Sequence, residues 1–223
     1  LQDEISEAIV TALKLKLLPE EKKAIEQRGT TNLQAYNLYL MARQRYATGQ
    51  MSDSRRSDTV IRLCRGAIEL DPNYARAWAL MATAPRHRMY ATGKGDNGSA
   101  AAARAIELDA NLAEAHAAKA GVLAAAGDYG AAEEELAVAM RLDPDSVDVM
   151  QEAARLHFML KRYEKAAASW DRYATLVETD IASGGLLITC YTALGDTANV
   201  ERVAQRTMAR AEKAVATDAD NGS

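Results

Sequence analysis

Aromatic residues are scarce in this 223-residue sequence, at 5%, with one Phe and two Trp. Proline is scarcer still, at four, and glycine numbers 13. Those two residues punctuate β-turns, so their shortage argues against an all-β chain. The only cysteines, Cys64 and Cys190, lie far apart and outside any CxxC spacing. That pattern excludes a disulfide scaffold and a thiolate metal set, and fits two free buried thiols in a reducing compartment. No apolar run approaches the roughly 18 residues of a membrane-spanning helix, and no secretory leader pattern is present. A basic excess is missing too: the formal net charge is −4. This argues against a nucleic-acid partner, which needs phosphates neutralised, and against an anionic membrane surface. A cytoplasmic location is expected.

What is present is alanine, about a fifth of the chain, within a hydrophobic share of 48%. Alanine is the strongest helix former, so an all-α fold is expected. Three segments are self-similar and end at Asp71-Pro72, Asp109-Ala110 and Asp143-Pro144. Each reads as the end of an amphipathic helix, because proline cannot continue a helix and drives the residue before it out of the α region. A second helical stretch follows each stop: Tyr74 to Met81, Leu112 to Ala126 and Val147 to Leu160. The stops at Ala110, Pro144 and Glu178 fall 34 residues apart. Pro72 to Ala110 spans 38, the excess lying between Thr92 and Ser99. In the first hairpin, Tyr36 to Tyr46 and Asp58 to Leu70 are the expected helices, with a polar turn from Ala47 to Ser57.

This 34-residue helix–turn–helix period resembles the tetratricopeptide repeat. The large position early in the first helix of each pair is matched by Trp78, His116 and Met150. The small positions of the second helix are matched by Ala132 and Ala166, then by Ala67, Ala105 and Ala139, and the closing proline by Pro72 and Pro144. Small residues there let paired helices approach until their ridges interlock. Three residues depart from the pattern. Tyr173 replaces a small residue, Glu178 replaces proline, and Pro85 falls within a first helix. The end of the fourth repeat is therefore expected to pack loosely, and Pro85 to kink or shorten its helix. The resemblance implies a right-handed superhelix, an α-solenoid of about five repeats at 33–72, 73–110, 111–144, 145–178 and 179–219.

Residues 1–30 read differently, as a leader of two helices. Ile5, Ile9, Leu13 and Leu17 form an apolar face, and Pro19-Glu20-Glu21 opens a second, short helix. With Tyr36-Asn37-Leu38-Tyr39, this stretch resembles the junction between a TolB-like domain and tetratricopeptide repeats in bacterial multidomain signalling proteins. Those proteins often carry a class III adenylate or guanylate cyclase domain, or a winged-helix DNA-binding domain. The resemblance implies an excised piece of such a protein.

Catalytic chemistry is not evident. Gly93-Lys94-Gly95-Asp96-Asn97-Gly98 matches GxGxxG, but neither a strand nor a βαβ pattern surrounds it, so it reads as a flexible inter-helix turn. His116 and His157 occupy helix packing positions, and His87 reads as exposed. No zinc-ligand spacing or nucleophile motif occurs, so no metal, cofactor or enzyme activity is expected. A concave surface remains. First-helix positions at i, i+3, i+7 and i+10 are expected to line it. In the first two repeats these are Asn37, Met41 and Gln44, then Arg76, Ala79 and Thr83. In the third they are Glu114, Ala117 and Gly121. The fourth supplies Asp148, Gln151, Arg155 and Phe158 or Met159, and the fifth Ala182, Gly185 and Thr189. Family members that hold a partner's terminal carboxylate use a Lys/Asn clamp, and here Asn37, Ala79 and Ala117 stand at its positions, which implies that the clamp is absent. The expected partner is a protein or peptide, or a second copy of the chain.

Overall fold

The computed structural model describes residues 28–47, 54–92 and 98–220. Residues 1–27 of the 1–30 leader, 48–53 of the first turn and 93–97 of the Gly-rich insertion lie outside them, as does the side chain of His87. The described residues form ten α-helices and no strand. In chain order they pair as hairpins: α1 (Leu33–Ala47) with α2 (Ser54–Leu70), and α3 (Ala75–Thr92) with α4 (Ser99–Leu108). Next come α5 (Ala113–Ala125) with α6 (Tyr129–Leu142), α7 (Val147–Met159) with α8 (Tyr163–Leu176), and α9 (Ala182–Ala193) with α10 (Thr197–Asp220). The result is an α-solenoid of tetratricopeptide-type hairpins.

The helix stops share one geometry. Asp71, Asp109 and Asp143 each accept, through Oδ1, the amide of the residue two places on, at 3.1, 2.9 and 3.0 Å. Their own amides donate to the carbonyls of Ala67, Ala105 and Ala139, each at 3.0 Å. A carboxylate that closes a local ring competes with the helical ladder, and this ends the helix. The next helix then starts four residues after each Asp. The turns inside hairpins are periodic as well: Gly127, Lys161 and Gly195 all adopt positive φ, at 86°, 57° and 71°. In two of the three, an aspartate follows and caps the next helix, Asp128 accepting from Ala131 N at 3.1 Å and Asp196 from Asn199 N at 3.1 Å. Arg162 takes that place in the fourth hairpin and caps nothing.

Alanine explains the close packing. Ala67, Ala105, Ala132, Ala139 and Ala166 are all fully buried between helices. Larger side chains fill the gaps within and between hairpins. Tyr39 and Tyr74 meet edge to face at 5.1 Å, and Phe158 meets Trp170 at 5.5 Å and Tyr163 at 5.8 Å. Trp78 Nε1 donates to the carbonyl of Pro72 at 3.0 Å, and His116 Nε2 lies 3.0 Å from the equivalent carbonyl of Ala110. The other ring nitrogen of His116 faces Glu135 on α6 at 2.7 Å. Both thiols are fully buried and free, and burial pushes Cys64 up to about 12 and Cys190 up to about 11.

Two expectations are corrected. Pro85 does not shorten α3, which continues through it to Thr92. The ring removes one N–H donor, but its fixed φ of about −65° is itself helical, so the chain can continue as helix on both sides. In the first hairpin, α1 begins at Leu33 and α2 at Ser54, so the connection is shorter than the Ala47 to Ser57 turn read from sequence. The start of α1 is set by Asn32, whose side-chain oxygen accepts the amides of Gln34 and Ala35 at 3.0 Å each. Thr30 donates to Asp71 at 2.5 Å and ties this entry to the end of α2.

The last hairpin is held by polar contacts. Asp171 on α8 accepts from Arg202 at 2.7 Å, from Arg206 at 3.1 Å and from the Tyr191 hydroxyl. Burial alone would raise the Asp171 carboxyl, but these hydrogen bonds and charges together hold it below its ordinary value. Arg210 donates to the carbonyls of Ala174 and Asp180, at 2.7 and 2.9 Å. These bonds hold α10, and through Tyr191 also α9, against α8, and α9 forms one wall of the site below.

Candidate functional site: the concave cleft

The first helices of the hairpins face inward, and the curvature brings α1 back toward α7. Arg43 Nη1 lies 2.7 and 2.6 Å from the two carboxylate oxygens of Asp148, a contact between residues 105 apart in sequence. Asp148 raises the Arg43 guanidinium further above its ordinary value, against the opposing effect of burial. A charge-assisted pair with both groups largely out of water holds its geometry more firmly than a surface ion pair.

This strap divides the concave face. On one side Tyr39, Arg76, Thr83, Glu114 and Gln151 crowd together and leave only about 20 Å³ of free space. That is room for about one water. Burial pushes the Tyr39 phenol up to about 12, and raises the Glu114 carboxyl, with Asp148 adding to it and Arg76 and Arg43 opposing. On the other side lies an open cleft of about 380 Å³. Its walls are Tyr46 and Ala47 at the end of α1, Val147 and Gln151 on α7, Trp170 and Tyr173 on α8, and Ser183 and Leu186 on α9. Burial, with Asp180 close by, pushes the Tyr173 phenol up to about 12.

Four charged side chains line this cleft: Arg43, Asp148, Arg155 and Asp180. Arg43 is engaged with Asp148. The carboxylate of Asp180 accepts from the Ser183 amide at 3.2 Å and from its hydroxyl. Arg155 also lines the cleft, and its Nη1 is buried without a hydrogen-bond partner among the described residues.

Most of the sequence-read groove residues meet at these two spaces. Arg76, Thr83 and Glu114 line the crowded side, Arg155 lines the cleft, and Asp148 and Gln151 line both. Ala79 and Ala117 also line the crowded side, and Gln44 and Ala182 the cleft. Asn37 and Met41 do not belong with them: both are exposed, and the residues of α1 that turn inward are Tyr39, Arg43 and Tyr46. A shift of two residues rotates a helical position by about 200°, which carries Asn37 and Met41 to the outer side. Met159 is half-buried and lines neither space, while Phe158 packs into the core beside Trp170. Gly185 and Thr189 are exposed and also line neither. Tyr173, the departure read as a loose end, is buried and forms cleft wall. Sequence reasoning missed Tyr39, Arg43 and Tyr46, although their i, i+4, i+7 spacing marks one helix face. The walls from α8 carried no surface signal, because Trp170 and Tyr173 also serve the core.

Comparison with known proteins agrees with this architecture. Residues 123–174 match the tetratricopeptide repeat family. No curated protein matches the sequence. Among solved structures, the protein TTC0263 of Thermus thermophilus, described as a thermophilic tetratricopeptide-repeat protein, superimposes with a TM-score of 0.61 at 16% identity. That match covers 83% of this chain and 96% of the other. The human IFIT1 dimer with m7Gppp-AAAA gives a TM-score of 0.60 at 12% identity, covering 88% of this chain and 48% of that one. MamA gives 0.50 at 15% identity, over 72% and 91% of the two chains. At these identities the likeness is one of fold. Residues 123–174 thus carry a tetratricopeptide-repeat match within a chain that shares the fold of such proteins. No helix among the described residues is long and apolar enough to cross a membrane, and no group of His, Cys, Asp or Glu among them is suited to hold a metal ion.

Proposed function

We propose that this chain is a non-catalytic cytoplasmic scaffold that holds a protein partner, as a peptide or helix, on its concave face. The observation that carries this reading is the open cleft of about 380 Å³ bounded by four helices from three hairpins. Curved helical arrays present extended inner surfaces, and a cleft with apolar walls and a few polar groups suits a protruding segment of a partner. The junction-like leader further supports a place within a larger bacterial signalling protein. There the repeats would control an attached nucleotide cyclase or transcription-regulator domain, or mediate self-association.

Gln151→Trp tests the reading, because the half-buried Gln151 borders both spaces and an indole there fills the cleft. Affinity for a partner is expected to fall at least about tenfold, or about 1.4 kcal/mol. Unchanged binding would place the interaction on another face. The same substitution in the longer protein tests control of a neighbouring domain, and unchanged output would exclude it.

A further inference from the structure

The first helices α3, α5 and α7 each bury one stripe, spaced i, i+3, i+7, against the hairpin before them. On α3 the stripe is Ala77, Leu80 and Ala84, clustered with Ala35, Tyr39 and Val60. On α5 it is Ala115, Ala118 and Val122, packed with Ala79, Ala82 and Ala102. On α7 it is Val149, Glu152 and Leu156, of which Val149 and Leu156 join Ala120 and Leu136. α1 carries the same stripe as Asn37, Leu40 and Gln44, half a turn around the helix from the buried Ala35, Tyr39 and Ala42. There it is exposed. Leu40 is 44% accessible, its neighbour Met41 55%, and Leu33 at the start of α1 64%. The end hairpin of a solenoid needs a polar outer face. Three large apolar side chains along one helix face do not supply it, and such a patch marks a contact surface.

The chain itself leads to this face. Arg28 is helical, and Gly29, with φ of 73°, takes the left-handed conformation that closes a helix. Four residues, 29–32, separate Arg28 from α1, the same number that separates α2 from α3, α4 from α5 and α6 from α7. Arg28 thus stands where the second helix of a preceding hairpin would end. Its guanidinium lies 5.4 Å from the centre of the Tyr36 ring, and Tyr36 neighbours Leu40 one turn along α1. The sequence before it carries the complement: Ile5, Ile9, Leu13 and Leu17 in steps of four, with Ala8 and Ala12 between them. Small residues of that kind are the ones buried between helices throughout this fold.

We propose that the leader forms a preceding hairpin that caps the solenoid, with Ile9 and Leu13 seated on Leu33, Leu40 and Met41 of α1. A tether of four residues holds it at high effective concentration, which favours it over a second copy on the same face. The contact is independent of the cleft as a binding surface.

The test pairs Leu40→Cys with Ile9→Cys or with Leu13→Cys in the full chain. Cys64 and Cys190 are fully buried, so only the introduced thiols meet under mild oxidation. At least one pair is expected to close an intramolecular disulfide about tenfold or more faster than a control, Leu13→Cys with Leu176→Cys on α8. Rates equal to the control would overturn the proposal. A disulfide-linked dimer instead would overturn it in favour of a second copy. The double substitution Leu40→Asp with Met41→Asp gives an independent reading, because both side chains are exposed and outside the core of the first hairpin. It is expected to speed tryptic cleavage after Lys14 and Lys16 at least about tenfold. Unchanged cleavage there would also overturn the proposal.

Discussion

Trp170→Ala is expected to cost about 3–5 kcal/mol and to split the unfolding of this chain into two steps. Trp170 is 3% exposed and sits in a cluster with Ala154, Ala166, Leu187, Cys190 and Val203. Phe158 packs edge-on against its ring. The cluster therefore draws on α7, α8, α9 and α10, and removing the indole opens a void that fixed helices cannot close. In a solenoid each repeat contacts its neighbours, so the loss stays local. The fourth and fifth hairpins should melt first while the first three persist, held by clusters around Tyr39, Tyr74, Ala105 and Leu136 that draw mainly on helices α1 to α6. Helical circular dichroism would show an early partial loss followed by a second transition near the parent temperature. A single transition at the parent midpoint would contradict the packing described.

Gly98→Ala is the second large effect. Gly98 precedes α4 with φ of 81°, in the left-handed region. A Cβ there would lie 2.2 Å from the carbonyl oxygen of Ala82 and 2.9 Å from its C and Cα. These are backbone atoms of α3 and cannot swing aside. The conformational penalty alone is about 1–2 kcal/mol, and displacement of α4 from α3 should bring the total to about 3 kcal/mol or more. Gly127 and Gly195 provide the control, since they share the positive φ but have nothing within 4 Å of an added Cβ. Alanine at those positions should cost only the conformational part, about 1–2 kcal/mol. Urea denaturation of the three variants separates the two contributions; equal losses would show that the close approach to Ala82 does not matter.

The repeat itself is legible in the sequence. A short polar side chain that accepts the amide two residues on ends a helix by local rules, and so Asp71, Asp109 and Asp143 mark their stops correctly. The turns at Gly127 and Gly195 are legible for the same reason, and only the period reveals that Lys161 must follow them into positive φ. Inner-face residues on the middle helices follow from register within a hairpin, as with Arg76, Glu114, Asp148 and Gln151. What fails depends on curvature. Asn37 and Met41 are assigned by local spacing, but which side of α1 faces inward is decided by its return to α7 through Arg43 and Asp148. No pattern within a 34-residue window encodes that contact. The open cleft is equally hidden, because Trp170 and Tyr173 read as packing residues and only the assembled hairpins show that their far edges border empty space.

The central claim is that partners bind the concave cleft, and photo-crosslinking from single positions tests it most directly. A benzophenone amino acid placed at Gln44 or Ala182, both exposed and on the cleft border, should capture a bound peptide efficiently. The same group at Leu176 or Met208, exposed away from the cleft at 54% and 64%, should capture little. Strong capture from Leu176 or Met208 with none from Gln44 and Ala182 would contradict the account.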